Sequence, residues 1–199
     1  MKQAIAQYNE AERLARQEKF REARPLLEAA AKSGYGRAWY ALGNWSIHGI
    51  GCRKNYRQAF ECLRKAVRYG AGREALFDLA ICYETGKGTS KNVRQAARCY
   101  IESMQAGDPE AISEVARIHY WGIGVKPDHS KARRFYLRAA RRGDLESAYL
   151  LAEMYLTGEG GTTNRRSAID WLKRAVDSDD AKLAWDAKER LKQISAVTM

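Results

Sequence analysis

The sequence predicts an all-α solenoid of antiparallel helix pairs. Three observations carry that reading. Gly-x-Gly recurs at Gly49, Gly86, Gly122 and Gly158, with steps of 37, 36 and 36 residues, and a fixed period of about 20–50 residues marks a repeat array. Small and large apolar residues around each glycine pair fall at helical spacing. After each pair comes Asn55, Asn92, Asp128 or Asn164, and Asn or Asp is a favoured residue at a helix start.

Residues 1–37 predict a helix pair without the glycine loop. Ala11, Leu14 and Ala15 carry one helical period; Phe20, Ala23, Leu26, Leu27, Ala30 and Ala31 carry a second, which Gly34 ends. Gln17-Glu18-Lys19 leaves room only for a tight turn. Pro25 is placed within the first turn of the second helix, where a missing N–H costs little.

The next unit runs over 38–74. With Ala38 as zero, Leu42 and Gly43 fall at +4 and +5, Gly49 and Gly51 at +11 and +13, and Asn55 at +17. Ala59, Cys62-Leu63, Ala66 and Gly70 follow at +21, +24 and +25, +28 and +32. The same ruler laid from Ala75, Ala111 and Ser147 defines units 75–110, 111–146 and 147–180. Small residues at +5, +21 and +28 let two helices approach closely, and large ones at +4, +8, +24 and +25 fill the space between them. The glycines at +11 and +13 end the first helix and supply backbone conformations closed to other residues.

The pattern Ala-x3-Leu-Gly-x2-Tyr-x2-Gly-x-Gly, then Asn or Asp, then Ala-x2-aromatic-aromatic-x2-Ala and Gly, resembles the Sel1-like repeat, a tetratricopeptide relative with a longer glycine-bearing loop. Four copies cover 38 to about 179. Trp45-Ser46 stands where Tyr belongs, His119-Tyr120 shifts the aromatic by one, and an extra residue sits around Ala71-Gly72-Arg73. Ala11, Leu14, Phe20, Ala23, Leu27 and Ala30 resemble a tetratricopeptide repeat. The resemblance implies a right-handed α/α superhelix in a single domain over 1–199. Leu183, Ala187, Leu191 and Ile194 predict a polar-faced capping helix over 181–194, followed by a frayed tail, Ser195–Met199.

The chain has 199 residues and a formal net charge of +11, which favours acidic partners. No apolar run follows Lys2, and no stretch approaches the ~20 apolar residues of a membrane span, so the expectation is a cytoplasmic protein. Cys52, Cys62, Cys82 and Cys99 form no Cys-x-x-Cys and have no His at zinc-ligand spacing. They read as packed or free thiols, although their clustering in two repeats permits a disulfide. Gly86-Lys87-Gly88-Thr89-Ser90 lacks the first glycine and the preceding strand of a phosphate loop. His48, His119 and His129 read as packing or surface residues. Trp39, Trp45, Trp121, Trp171 and Trp185 read mainly as core rather than base-stacking platforms. No cofactor, metal or catalytic group is expected.

Two surfaces remain. The resemblance places second helices on the convex side, where the acid-free run Lys131, Arg133, Arg134, Arg138, Arg141 and Arg142, with Arg57, Arg64, Lys65, Arg68, Arg94, Arg98, Arg165, Arg166, Lys173 and Arg174 on the other second helices, would form a basic face. It also implies a concave groove lined at +2, +6 and +9 by Tyr40, Asn44, Ile47, Phe77, Ile81, Glu84, Ser113, Arg117, Tyr120, Tyr149, Glu153 and Leu156. That mixture suits a protein or peptide segment. The expected function is a non-catalytic adaptor or regulator binding a protein or peptide in the groove. The alternative is a basic module binding nucleic acid or an anionic surface.

Overall fold

In the computed structural model, residues 1–196 are described and every element among them is helical. The helices are α1 (Lys2–Arg16), α2 (Phe20–Lys32), α3 (Gly36–His48), α4 (Tyr56–Arg68), α5 (Arg73–Thr85), α6 (Val93–Gln105), α7 (Ala111–Trp121), α8 (His129–Ala140), α9 (Leu145–Thr157), α10 (Arg165–Ala175) and α11 (Ala181–Ala196). They form two compact units, Met1–Asp108 and a second beginning at Pro109. In the first unit α1 pairs with α2, α3 with α4 and α5 with α6, and each pair stacks on the next through α2–α3 and α4–α5. In the second, α7 pairs with α8 and α9 with α10, while α11 packs on α10 and α9. This is the stacking of an α/α solenoid.

The joints have the same construction in every repeat. Gly49, Gly86, Gly122 and Gly158 cap the first helices in the left-handed region, with φ of 76°, 76°, 69° and 82°, where a side chain would be strained. Asn55, Asn92, Asp128 and Asn164 cap the second helices, their side chains accepting from the backbone N–H three residues on at 2.9–3.1 Å. Each cap's own N–H donates to the carbonyl of Ser46, Tyr83, His119 or Tyr155 at 2.7–2.8 Å. The loop is thus closed onto the helix it leaves.

The core follows the ruler. Ala59, Ala66, Ala75, Ala80, Ala132, Ala168 and Ala175 are fully buried, and Leu63, Leu151 and Leu172 lie among them. Each such leucine contributes roughly 1.5–3 kcal/mol of burial. A Cβ on Gly43 would press on Leu63 at 3.3 Å, so the small residue sets how closely α3 meets α4. Ser103 takes the slot that alanine fills elsewhere. Its hydroxyl lies 2.9 Å from the Arg73 carbonyl and 2.8 Å from Asp108 Oδ2, donating to one at a time.

Three expectations are corrected. Pro25 lies beyond the first turn of α2, because the helix already starts at Phe20; the ring removes a bond that an N–H would have made one turn back. Trp121 and Trp185 are 68% and 62% exposed, whereas Trp45 is buried edge-on against Phe20 and Trp39 and Trp171 are half-buried. Trp121 is the last residue before a glycine cap, past the buried stripe of its helix. The helix expected to end at Ile194 continues through Ser195 and Ala196, and the remainder of the expected frayed tail, 197–199, lies outside the described residues.

Candidate partner-binding surfaces

In the first unit, α3 and α5 carry Tyr40, Asn44, Ile47 and Ile81 to one cavity of about 610 Å³. Asp78 and Cys82 complete its helical walls, and His48, Lys54, Tyr56 and Lys87 form the rim. Burial, together with the Asp78 carboxylate within hydrogen-bonding reach, pushes the Tyr40 hydroxyl up to about 12, while the Asn44 amide opposes that shift. Burial and the same Asp78 push the Cys82 thiol up to about 11. Phe77 and Glu84, on the same helix, turn instead to α6. Phe77 packs edge-on against Tyr100 with centroids 5.3 Å apart, and the Tyr100 hydroxyl donates to Glu84 at 2.9 Å.

The second unit distributes its groove positions differently. Arg117 pairs with Glu114 at 2.7 Å and, with Ser113, lines a small cavity of about 110 Å³ beside Tyr136 and Asp144. Tyr120 stacks on His129 with centroids 5.0 Å apart and donates its hydroxyl to Glu159 at 2.6 Å; that bond raises its pKa to about 12. Tyr149 and Leu156 pack into the α9–α11 core. Glu153 accepts from Arg190 Nε at 2.7 Å and Nη2 at 3.0 Å, which ties α11 down beside them.

Most cations expected on a second-helix face are exposed, among them Arg57, Arg68, Arg94, Arg134, Arg138, Arg166 and Lys173. Arg64 and Arg98 are paired within their helices, to Glu61 at 3.3 Å and Glu102 at 2.7 Å. Arg133 is half-buried, held 4.0 Å from the Tyr155 ring centroid and donating to the Thr162 carbonyl at 2.9 Å.

The remaining chemistry-bearing residues do not converge. His119 stacks on Phe135, and burial lowers its pKa with help from Lys131. The four cysteines are free, Cys52 half-buried and the others buried. Among the described residues no three His, Cys, Asp or Glu side chains meet in a metal-holding group, and no helix is long and apolar enough to cross a membrane. Sequence reasoning missed Lys54, Tyr56, Asp78 and Lys87 at the cavity. The signal available was Lys87 inside its Gly-x-Gly, where the other repeats carry Ile50, Ile123 and Glu159.

The Sel1 repeat model matches residues 37–68, 73–108, 109–144 and 145–180. A Sel1 repeat protein from Oxalobacter formigenes is similar at 28% identity and a TM-score of 0.71, over 78% of this chain and 63% of that one. A protective antigen of uropathogenic Escherichia coli displaying an SLR fold is similar at 20% identity and a TM-score of 0.85, over 97% of this chain and 42% of that one. A Sel1 repeat protein from Klebsiella pneumoniae aligns at 21% identity and a TM-score of 0.53, over 96% and 93%. The chain thus spans less than two thirds of the length of the first two, and the likenesses below 25% identity bear on fold alone. No curated protein matches the chain.

Proposed function

The chain belongs to the Sel1 repeat family, and on that premise we propose that it is a non-catalytic module that holds a segment of another protein against the first helices of its repeats. Proteins built from these repeats are generally interaction scaffolds. The observation that carries the reading is the cavity where Tyr40, Asn44, Ile47 and Ile81 meet. Aromatic, amide and aliphatic groups share one concavity, and its volume lies within the roughly 300–1,000 Å³ of ligand sites. Phe77 and Glu84 are further candidate contacts within the first unit, and Arg117, Tyr120, Tyr149, Glu153 and Leu156 are candidate contacts of the second unit by itself. The free thiols support a cytoplasmic setting, where cysteines stay reduced.

The exposed arginines of α4 and α6 in the first unit, and of α8 and α10 in the second, favour a second reading, an anionic partner such as nucleic acid held by the second helices of either unit. One experiment separates the two. The immobilised full chain is used to capture proteins, each retained protein is purified, and stoichiometric binding is measured by calorimetry at rising salt. A protein partner whose binding is lost on Ile81→Arg supports the first reading. Binding of random-sequence nucleic acid that collapses with salt, with no protein partner, overturns it.

A further inference from the structure

The cavity between α3 and α5 has an apolar floor and a basic rim. Ile47 and Ile81 supply the floor; His48, Lys54 and Lys87 stand exposed around it. Among the described residues neither Lys54 nor Lys87 has a carboxylate partner. Lys87 instead lies 5.8 Å from the centroid of the Tyr56 ring, which is itself 42% exposed at the mouth. Asp78 is the single carboxylate among the lining residues, and it sits with the Tyr40 hydroxyl on the wall. The cations therefore converge on a concavity without a negative charge of its own at the rim, an arrangement that draws in an anion and fixes its register.

We propose that this cavity receives an acidic side chain of the partner segment, bound between Lys54 and Lys87, with a neighbouring apolar side chain of the same segment seated on Ile47 and Ile81. The inference rests on the proposed binding function and specifies what the bound segment must look like. Asn44 also lines the cavity, and what its amide does not spend on the Tyr40 hydroxyl suits a peptide backbone group. The overall charge of +11 steers the same kind of segment toward the chain before contact.

The test begins with a random hexapeptide library displayed on phage and panned on the full chain. Enriched peptides are then synthesised with a fluorescent label and titrated by anisotropy against the wild type, Lys54→Gln/Lys87→Gln and Lys54→Glu/Lys87→Glu. Both lysines are exposed, so melting temperatures should match the wild type. The expected result is enrichment of Asp or Glu beside Leu, Ile or Phe. Binding should weaken about tenfold in the Gln variant, and Lys-for-acid peptides should regain affinity for the Glu variant. Enriched peptides without an acid, or equal binding by all three proteins, overturn the inference. If a captured protein then binds wild type and variants alike, the general binding reading stands without it. If neither peptide nor protein is retained, both fall.

Discussion

Gly88 lies against the chain so closely that a Cβ on it would run into the carbonyl oxygen of Tyr56, far inside van der Waals contact. Gly160 meets the His129 carbonyl in the same way. The second glycine of each of these loops is therefore a contact between repeats as well as a turn residue. It rests its backbone on the first turn of the preceding second helix, and its φ of 78° or 73° already excludes most side chains.

Gly88→Ala should accordingly cost about 3 kcal/mol, combining left-handed strain with a clash that only backbone movement relieves. Gly143→Ala is the control, since its φ of 95° carries the strain while nothing lies within 4 Å; about 1 kcal/mol is expected there. Urea denaturation of both variants decides the matter. Equal losses would show that packing between repeats contributes nothing at Gly88.

The Asn92 side chain accepts from the Gln95 N–H at 3.1 Å, and the Asn92 N–H donates to the Tyr83 carbonyl at 2.7 Å. Asn92→Ala removes only the first bond and should cost about 1 kcal/mol, whereas Asn92→Gly should cost a few tenths. Chemical denaturation of the two variants reads the difference. A neutral Ala variant would mean that the backbone bond alone holds the joint.

The periodic features were legible in the sequence because four repeats state them four times. Caps, glycine joints and small-residue contacts all sit where the ruler puts them. The partners of individual groove residues were not legible, because they depend on residues that differ between repeats. Glu153 is covered by Arg190, 37 positions away in a helix outside the repeats. Glu84 is engaged because Tyr100 happens to carry a hydroxyl. Lys87 reaches the cavity from a position where its counterparts are Ile50, Ile123 and Glu159. A pattern found by repetition is blind to such residues, and here they form the basic rim.

Burial should order the four thiols by reactivity. Cys52 is half-buried, with its Sγ 3.6 Å from the Trp45 carbonyl, whereas Cys62, Cys82 and Cys99 are buried. Titration with a chromogenic disulfide at neutral pH should report one fast thiol, and four only in denaturant. Burial moves Cys82 and Cys99 from an ordinary 9.0 up to about 11. The native state then holds protons that the unfolded state has released, so stability falls as pH rises between those values. The contribution is whole below pH 9 and lost as pH passes 11. Melting temperatures should be flat up to pH 9 and drop above it, with Tyr40, moved from 10.0 to about 12, extending the fall. A melt unchanged at pH 11 would contradict the burial of these groups.

Arg190 and Glu153 form a two-bond ion pair whose side chains are 33% and 28% exposed, so solvent screens it only in part. A pair of this kind is worth up to about 1 kcal/mol. The helix that carries Arg190 is also held by Ala187 and Ile194 in the α9–α11 core, and by Arg165 donating to the Ile194 carbonyl. Arg190→Ala should therefore leave α11 folded yet loosen it locally, speeding hydrogen exchange of its amides about fivefold while α7 and α8 stay unchanged. High salt should bring the wild type part of the way to the variant. Glu153→Gln keeps an acceptor for one guanidinium N–H and should fall between the two. Exchange that quickens equally in α7, α8 and α11 would mean that the pair contributes to global stability, and that α11 does not open on its own.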